Sequence, residues 1–387
     1  MKNLIITILS VIVLTACNPA GSGDGQSQGQ ITLATADSTL SASRHNAITT
    51  AVSRATDAVV SVTVTEMARD YDQEIIDRFF GNFYSPGILR EYKSLGSGFI
   101  ISEDGLVVTN QHVVGVNAVE VMVTLSNGES HKAEIIGIDE LTDLSLLKIN
   151  TDRSLPFMEF GNSDQIMVGE WCIAMGNPFG LFEDGTPTVT VGVVSAIDRD
   201  FRPNPRMPRV YSDMIQTDAS INSGNSGGPL LNALGQVIGV NTFIFTGGTS
   251  DGFVGLGFAI PSNRVVRIIE QLRDSGKVLP RFDLGMDLRN ISFNDARQYY
   301  LPYVNNGNGV FVFSVNRDGP AYDAGILPGD IIWKLENQVI YSKNYYEALM
   351  RDYNEGDTIR IEIYRGGDNG GLYEAQVILK AKVMAEG

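Results

Sequence analysis

From Ile48 to Pro261 the chain runs in short apolar stretches separated by polar turns. Residues 59–64, 98–101, 106–109 and 118–125 are rich in Val, Ile and Thr. Branched side chains in runs of this length fit half-buried, pleated strands. Glu103-Asp104-Gly105 and Ser126-Asn127-Gly128 supply the turns between them. The same pattern predicts strands over 133–138, 144–149, 171–175, 189–197, 236–241 and 257–260. Many short strands at this spacing predict an antiparallel barrel or sandwich. The period changes at Ser262–Ser275, where positions 265, 266, 268, 269 and 272 are apolar. That is helical spacing, with Ser262 as the expected N-cap and Gly276 as the stop. Beyond it, a second unit predicts strands over 310–315, 331–335, 358–364 and 373–379, with short helices at 321–324 and 343–351. No fixed-period repeat is visible.

The first residues read differently. Leu4 to Ala16 is mostly apolar and follows Lys2. It is shorter than the roughly 20 residues a membrane span needs, so 1–16 reads as an export signal. The run ends Leu14-Thr15-Ala16-Cys17, which resembles the lipobox of bacterial lipoproteins. That resemblance implies cleavage before Cys17 and lipidation of Cys17. Residues 17–45, rich in Gly, Ser and Gln at their start, read as a flexible tether. Residues 70–85 interrupt the strands with Tyr71, Phe79, Phe80, Phe83 and Tyr84. They read as a partner-binding loop or as a loop folded back on the body.

Composition narrows the classes. There are 45 acidic and 29 basic residues, for a net charge of −16. Such a field repels a phosphate backbone, so nucleic acid is not an expected partner. Two cysteines make neither a disulfide scaffold nor a zinc ribbon. With three histidines in the chain, no metal site is expected, and the absence of a phosphate-binding loop implies no nucleotide. Cys172, inside an apolar run, is expected to be a small buried hydrophobe.

Asn222-Ser223-Gly224-Asn225-Ser226-Gly227-Gly228-Pro229 carries the sharpest chemical signal. A nucleophilic serine needs an exposed hydroxyl and N–H groups aimed at a developing oxyanion. Glycines on both sides of Ser226 allow a tight turn that offers them. The oxyanion hole is expected at the N–H groups of Gly224 and Ser226, assisted by Asn225. Of the histidines, His45 precedes the strand-rich body and His131 lies in a hydrophilic segment. His112 ends a hydrophobic strand, which suits a general base. Asp143 heads the apolar run Leu144–Ile149, where a carboxylate is costly unless paired; it is the expected partner of the imidazole. Asp139 is the competitor, but Glu140 beside it makes it read as part of a turn. The order His112, Asp143, Ser226 is the chymotrypsin-type order. No histidine follows Ser226, so a hydrolase nucleophile elbow is excluded.

Gly96-Ser97-Gly98, Thr109-Asn110-Gln111-His112-Val113, Thr142-Asp143-Leu144, Gly176-Asn177-Pro178-Phe179-Gly180 and Gly224-Asn225-Ser226-Gly227-Gly228-Pro229 resemble the HtrA/Deg serine proteases. The resemblance extends over about residues 48–383. It implies a mainly β fold: a chymotrypsin-like double β-barrel protease domain over 46–275, followed by a smaller α+β PDZ domain over 280–383. Asn316-Arg317-Asp318-Gly319-Pro320-Ala321 and Ala324–Ile332 resemble the PDZ module. Leu284-Gly285-Met286 falls where that module binds peptide C-termini, with the 343–351 helix as the other wall. Asp283 adds negative charge there. Ser220, six residues before Ser226, is not an acid, so a taste for Lys or Arg is not expected; Ser220 and Ile221 predict a small apolar specificity pocket.

The resemblance implies an ATP-independent envelope endopeptidase that degrades misfolded or unfolded proteins, cutting after small aliphatic residues. It implies no cofactor, a homotrimer or a multiple of trimers, and regulatory loops at 182–187, 199–209 and 246–252. The expected location is the periplasm-facing envelope, anchored to a membrane by lipid. The alternatives are a chaperone or holdase with or without proteolysis, and a regulatory protease with one membrane substrate.

Overall fold

The computed structural model describes residues 44–69, 89–177, 186–201, 211–222, 224–244, 255–278, 282–291, 309–366 and 371–380. The export signal, Cys17, the tether up to residue 43, the aromatic insertion and most of the three expected regulatory loops lie outside these residues. Asn46–Gly387 forms one compact unit.

The chain enters that unit through a helix that the strand pattern does not announce, α1 (Ala47–Ala55). Asn46 caps it: its side chain accepts from the Thr49 N–H, and the Thr49 hydroxyl accepts from the Asn46 N–H. Such reciprocal capping satisfies donors that a helix start leaves unpaired.

Six strands follow: β1 (Val59–Arg69), β2 (Leu89–Ile100), β3 (Leu106–Asn110), β4 (Ala118–Thr124), β5 (Ser130–Asp139) and β6 (Leu144–Ile149). They close as β1-β2-β3-β6-β5-β4. Antiparallel pairing of β1 with β4, from Ser61↔Thr124, shuts the barrel. Closure settles the choice between barrel and sandwich and leaves no sheet edge to protect. A second closed barrel runs β10-β11-β12-β9-β8-β7. Its strands are β7 (Trp171–Gly176), β8 (Thr188–Phe201), β9 (Tyr211–Thr217), β10 (Pro229–Asn232), β11 (Val237–Ile244) and β12 (Gly257–Pro261).

A single helical turn, α2 (Gln111–Val114), sits at the end of β3. The long helix α3 (Ser262–Ser275) buries Val265, Ile268, Ile269 and Leu272, each contributing about 1.5–3 kcal/mol by leaving water. It packs on β5 and β6 of the first barrel and on β11 and β12 of the second. Pro261, not Ser262, holds the cap position; the Ser262 hydroxyl instead donates to the Gly161 carbonyl at 2.7 Å. Gly276 ends the helix at φ 70°.

The second unit is a sheet in the order β13-β14-β15-β17-β18 with β16 beside β15. Its elements are β13 (Met286–Asn290), β14 (Val310–Val315), α4 (Pro320–Asp323), β15 (Ile331–Leu335), β16 (Gln338–Val339), α5 (Lys343–Met350), β17 (Thr358–Arg365) and β18 (Gly371–Ile378). Its own core includes Val310, Val312, Ile332, Ile361 and Leu349.

Candidate active site

β3 delivers His112 and the β5–β6 turn delivers Asp143, because the two strand ends pair at Asn110↔Leu144. Asp143 adopts φ 60°, a left-handed conformation that costs energy for a non-glycine residue. The surroundings offset that cost. The Asp143 carbonyl accepts from the Gln111 N–H at 3.0 Å and from Asn110 Nδ2 at 3.0 Å. Its carboxylate is wholly buried. Oδ1 accepts from the His112 N–H at 2.9 Å, and Oδ2 stands 2.8 Å from His112 Nδ1. The tautomer with its proton on Nδ1 therefore keeps Nε2 as a free base. The imidazole is partly exposed, at 29%.

Asp139, the competitor, is a capping residue. Its Oδ2 accepts from the Thr142 N–H and from the Thr142 hydroxyl. His131, on β5, stands 3.8 Å from Glu129, and His45 is exposed.

Ser226 lies in the turn before β10 and remains partly exposed. Gly224 takes φ 115° there, open to glycine alone. Gly227 takes φ 83°, and any Cβ at that position would overlap the Ser97 carbonyl and the Thr109 hydroxyl. This close approach brings the turn against the first barrel. Ser97 staples it: its N–H donates to the Ser226 carbonyl at 2.9 Å, and its hydroxyl donates to the Gly224 carbonyl. The Thr109 hydroxyl in turn donates to the Ser97 carbonyl at 2.7 Å, linking the strand that leads into the His112 turn α2 to the serine turn. The Ser226 hydroxyl makes no hydrogen bond to His112 among the described residues.

Two of the residues expected at this site take other places. The Asn225 N–H donates to the Asn222 carbonyl at 3.1 Å, and its side chain ties to Asn222 and Ser220. It braces the turn and does not assist an oxyanion. Among the described residues the N–H groups of Gly224 and Ser226 make no such bond. Ile221 is 1% exposed and packs with Cys172, Val194, Ile215 and Leu230 in the second barrel's core. It offers no wall to an open pocket. The alternation explains this: Ala219 and Ile221 face in, and Ser220 between them is half-buried. The Ser220 carbonyl accepts from the Thr190 hydroxyl at 2.8 Å. Cys172 is wholly buried, 3.0 Å from the Thr217 hydroxyl, and burial pushes its thiol up to about 11. It is a core residue and not a nucleophile.

Sequence reasoning assigned no role to Ser97 or Tyr211. The first sits between two glycines, a signal of close backbone approach. The second leads β9, and its hydroxyl donates to Asp143 Oδ2 at 3.3 Å; nothing local announces that.

The second unit holds a cavity of about 400 Å³ lined by Phe282, Leu284, Met286, Leu288, Tyr346 and Met350 between β13 and α5. Gln271 of α3 and Arg351 border it as well. Gly285, at φ 69°, opens the loop at its mouth. The Gly285 N–H already has an acceptor, Asp283 Oδ1 at 2.8 Å.

No helix among the described residues is long and apolar enough to cross a membrane, and no cluster of metal-ligating side chains is found among them.

Residues 96–240 match the trypsin-like peptidase domain, and residues 283–372 match the PDZ domain. The chain is 43% identical over 298 residues to a Chlamydia trachomatis protein named "Probable periplasmic serine endoprotease DegP-like", covering 75% of this chain and 57% of that one. The chain thus spans little more than half the length of that relative. Against a protein of the same name from Pseudomonas putida (strain ATCC 700007), identity is 37% over 343 residues, with 84% and 68% covered. Among solved structures, the HtrA-type protease AlgW with a decapeptide is 33% identical, with a TM-score of 0.56 over 87% of this chain and 98% of that one. The serine endoprotease from Yersinia pestis is 31% identical, with a TM-score of 0.51 over 86% and 97%. The chain belongs to the HtrA-type, DegP-like family of trypsin-like serine proteases that carry a PDZ domain.

Proposed function

We propose that this protein is an ATP-independent serine endopeptidase of the bacterial envelope, acting on unfolded or misfolded proteins. The observation that carries the reading is the buried Asp143 carboxylate bonded to His112 Nδ1 at 2.8 Å beside the glycine-flanked Ser226 turn. Ser226 Oγ attacks the substrate carbonyl while His112 Nε2 takes its proton. Asp143 holds the imidazole and stabilises the imidazolium that forms. The N–H groups of Gly224 and Ser226 receive the oxyanion. His112 then returns the proton to the leaving amine, and water hydrolyses the acyl-enzyme.

Small aliphatic side chains are the expected residues before the cut, supported by Ser220, which is half-buried and not an acid, and not by the buried Ile221. Such side chains are mostly buried in native proteins and exposed in unfolded ones, which makes the preference a filter for failed folds. The periplasm is the expected compartment, because relatives 43% and 37% identical to this chain are named periplasmic. A lipid on Cys17 would tie the body to a membrane there, and a homotrimer or a multiple of trimers is the expected assembly.

The cavity between β13 and α5 is the expected site for peptide C-termini, which add as a strand beside β13 with the carboxylate at Leu284-Gly285-Met286. Its border with Gln271 and Arg351 favours a regulatory role for that peptide alongside recognition. Cleavage of unfolded casein by wild type and by Ser226→Ala tests the central reading. Products from the wild type alone support it; equal cleavage by the variant overturns it.

A further inference from the structure

Two residues follow the groove helix α5, and each leads back to the catalytic carboxylate by a separate route. Arg351 NH1 pairs with Asp139 Oδ2. That same oxygen accepts from the Thr142 N–H and hydroxyl, so the pair fixes the turn that ends in Asp143 at φ 60°. Asp139 and Thr142 are each 6% exposed, which leaves the turn little freedom.

Asp352 takes the other side. Its carboxylate meets Arg264 Nε at 3.1 Å and Arg267 NH2 at 2.6 Å. Arg264, nearly buried on α3, also donates to the Ser212 carbonyl and to Asp213 Oδ2, the latter at 2.8 Å. Gln338 Nε2 adds a bond to Asp213 Oδ1 at 3.0 Å. Ser212 and Asp213 are the residues next to Tyr211, whose hydroxyl reaches Asp143 Oδ2. Burial works to raise the Asp352 carboxyl, yet the two guanidiniums hold it below the usual range, which keeps its charge available to both arginines.

We propose that Tyr211 is a positioning residue for the Asp143 carboxylate, and that Arg351 and Asp352 fix that carboxylate from its two flanks. The inference rests on the serine-protease reading above. His112 Nδ1 and Tyr211 share one oxygen of Asp143. The tyrosine therefore sets both where that oxygen stands and how much charge it presents to the imidazole. Arg351 acts through Asp139 and Thr142, and Asp352 acts through Arg264 and the start of β9.

The test uses the full chain with a peptide substrate. Tyr211→Phe is expected to lower kcat about tenfold with KM little changed, and to move the acid limb of kcat/KM to higher pH. Removal of a donor leaves more negative charge facing the imidazolium, which sets that direction. In a Ser226→Ala background the downfield resonance of the His112 Nδ1 proton should shift on Tyr211→Phe. That readout needs no turnover, so it separates failure of this inference from failure of the protease reading. Asp139→Asn and Arg351→Gln should each slow turnover, and the double variant should be no slower than the slower single variant. An unchanged pH profile and an unmoved resonance in Tyr211→Phe would overturn the role of Tyr211. Additive losses in the Asp139 and Arg351 cycle, or no loss at all, would overturn the flank assignment.

Discussion

The two ends of the candidate site are built in opposite ways. At the aspartate end every oxygen has a partner: the Asp143 carbonyl takes two donors, and its carboxylate takes the His112 backbone, the His112 ring and Tyr211. At the serine end the backbone is stapled by Ser97, but the N–H groups of Gly224 and Ser226 make no hydrogen bond among the described residues, and Ser226 stays partly exposed. The difference follows from charge. A buried carboxylate without donors is prohibitively costly, so its setting must exist before substrate arrives. A neutral hydroxyl at a partly exposed turn carries no such cost, and it must stay open to react.

Changes at the two ends should therefore fail differently. The largest effect falls on the chemistry itself. Ser226→Ala should abolish casein cleavage, with kcat reduced by about 10⁶-fold, while Asp143→Asn should reduce it by about 10⁴-fold through the wrong imidazole tautomer. Steady-state assays of both, with thermal melts as a folding check, separate loss of chemistry from loss of fold. Next comes Gly227→Ala, which must clear the Ser97 carbonyl and hold φ 83°. It should lower stability by at least ~2 kcal/mol, read by urea denaturation, and should lose activity with it. An unchanged midpoint in the Gly227→Ala variant would mean that the turn does not approach the first barrel as described.

A smaller effect is expected for Asp283→Ala in the second unit. The Asp283 carboxylate occupies the Gly285 N–H that a peptide carboxylate would need. Its removal should tighten binding of a peptide with an apolar C-terminal residue by about 3–10-fold, measured by fluorescence anisotropy. Weaker binding would show that Asp283 shapes the loop more than it blocks it.

The smallest effect concerns acid. Asp352 is depressed below its ordinary 3.8 in the folded protein, so its contribution is complete above about pH 4 and is lost as pH falls through the folded value. Asp213 is raised by burial, with Asp352 and Asp200 adding to it and Arg264 opposing; its protonation on acidification relieves a cost. The two partly cancel. Asp352→Asn should leave the melting temperature less sensitive to pH below 4 than in wild type, and an equal slope would count against the knot around Arg264.

Much of this was legible in the sequence because it is local. Runs such as Val59–Val64 announce strands by branching, and 265, 268, 269 and 272 announce α3 by spacing. His112 and Asp143 stand out as polar residues at the ends of apolar runs, where a group must have a reason to be. What was not legible is what depends on register and on distant chain. A strand count does not say whether β1 closes on β4, so the strand pattern alone left barrel and sandwich open, and only the family resemblance pointed to the double barrel that forms. The turn at Asp139 could be read, but its ion pair lies with Arg351, 212 residues away. Tyr211 gains its role only when β9 is wound into the second barrel beside the first. Distance from Ser226 alone points Ile221 to a pocket, although the alternation of Ala219, Ser220 and Ile221 already turns it into the core.

Ser226 should be activated by a His112–Asp143 pair that is complete before substrate binds. Reaction of the intact protein with a fluorophosphonate, followed by mass spectrometry, tests this most directly, because the probe needs an activated serine and no substrate recognition by the second unit. One adduct is expected, on Ser226, with a labelling rate that falls by about 10⁴-fold in Asp143→Asn. An adduct on another residue, or a rate indifferent to Asp143→Asn, would contradict it.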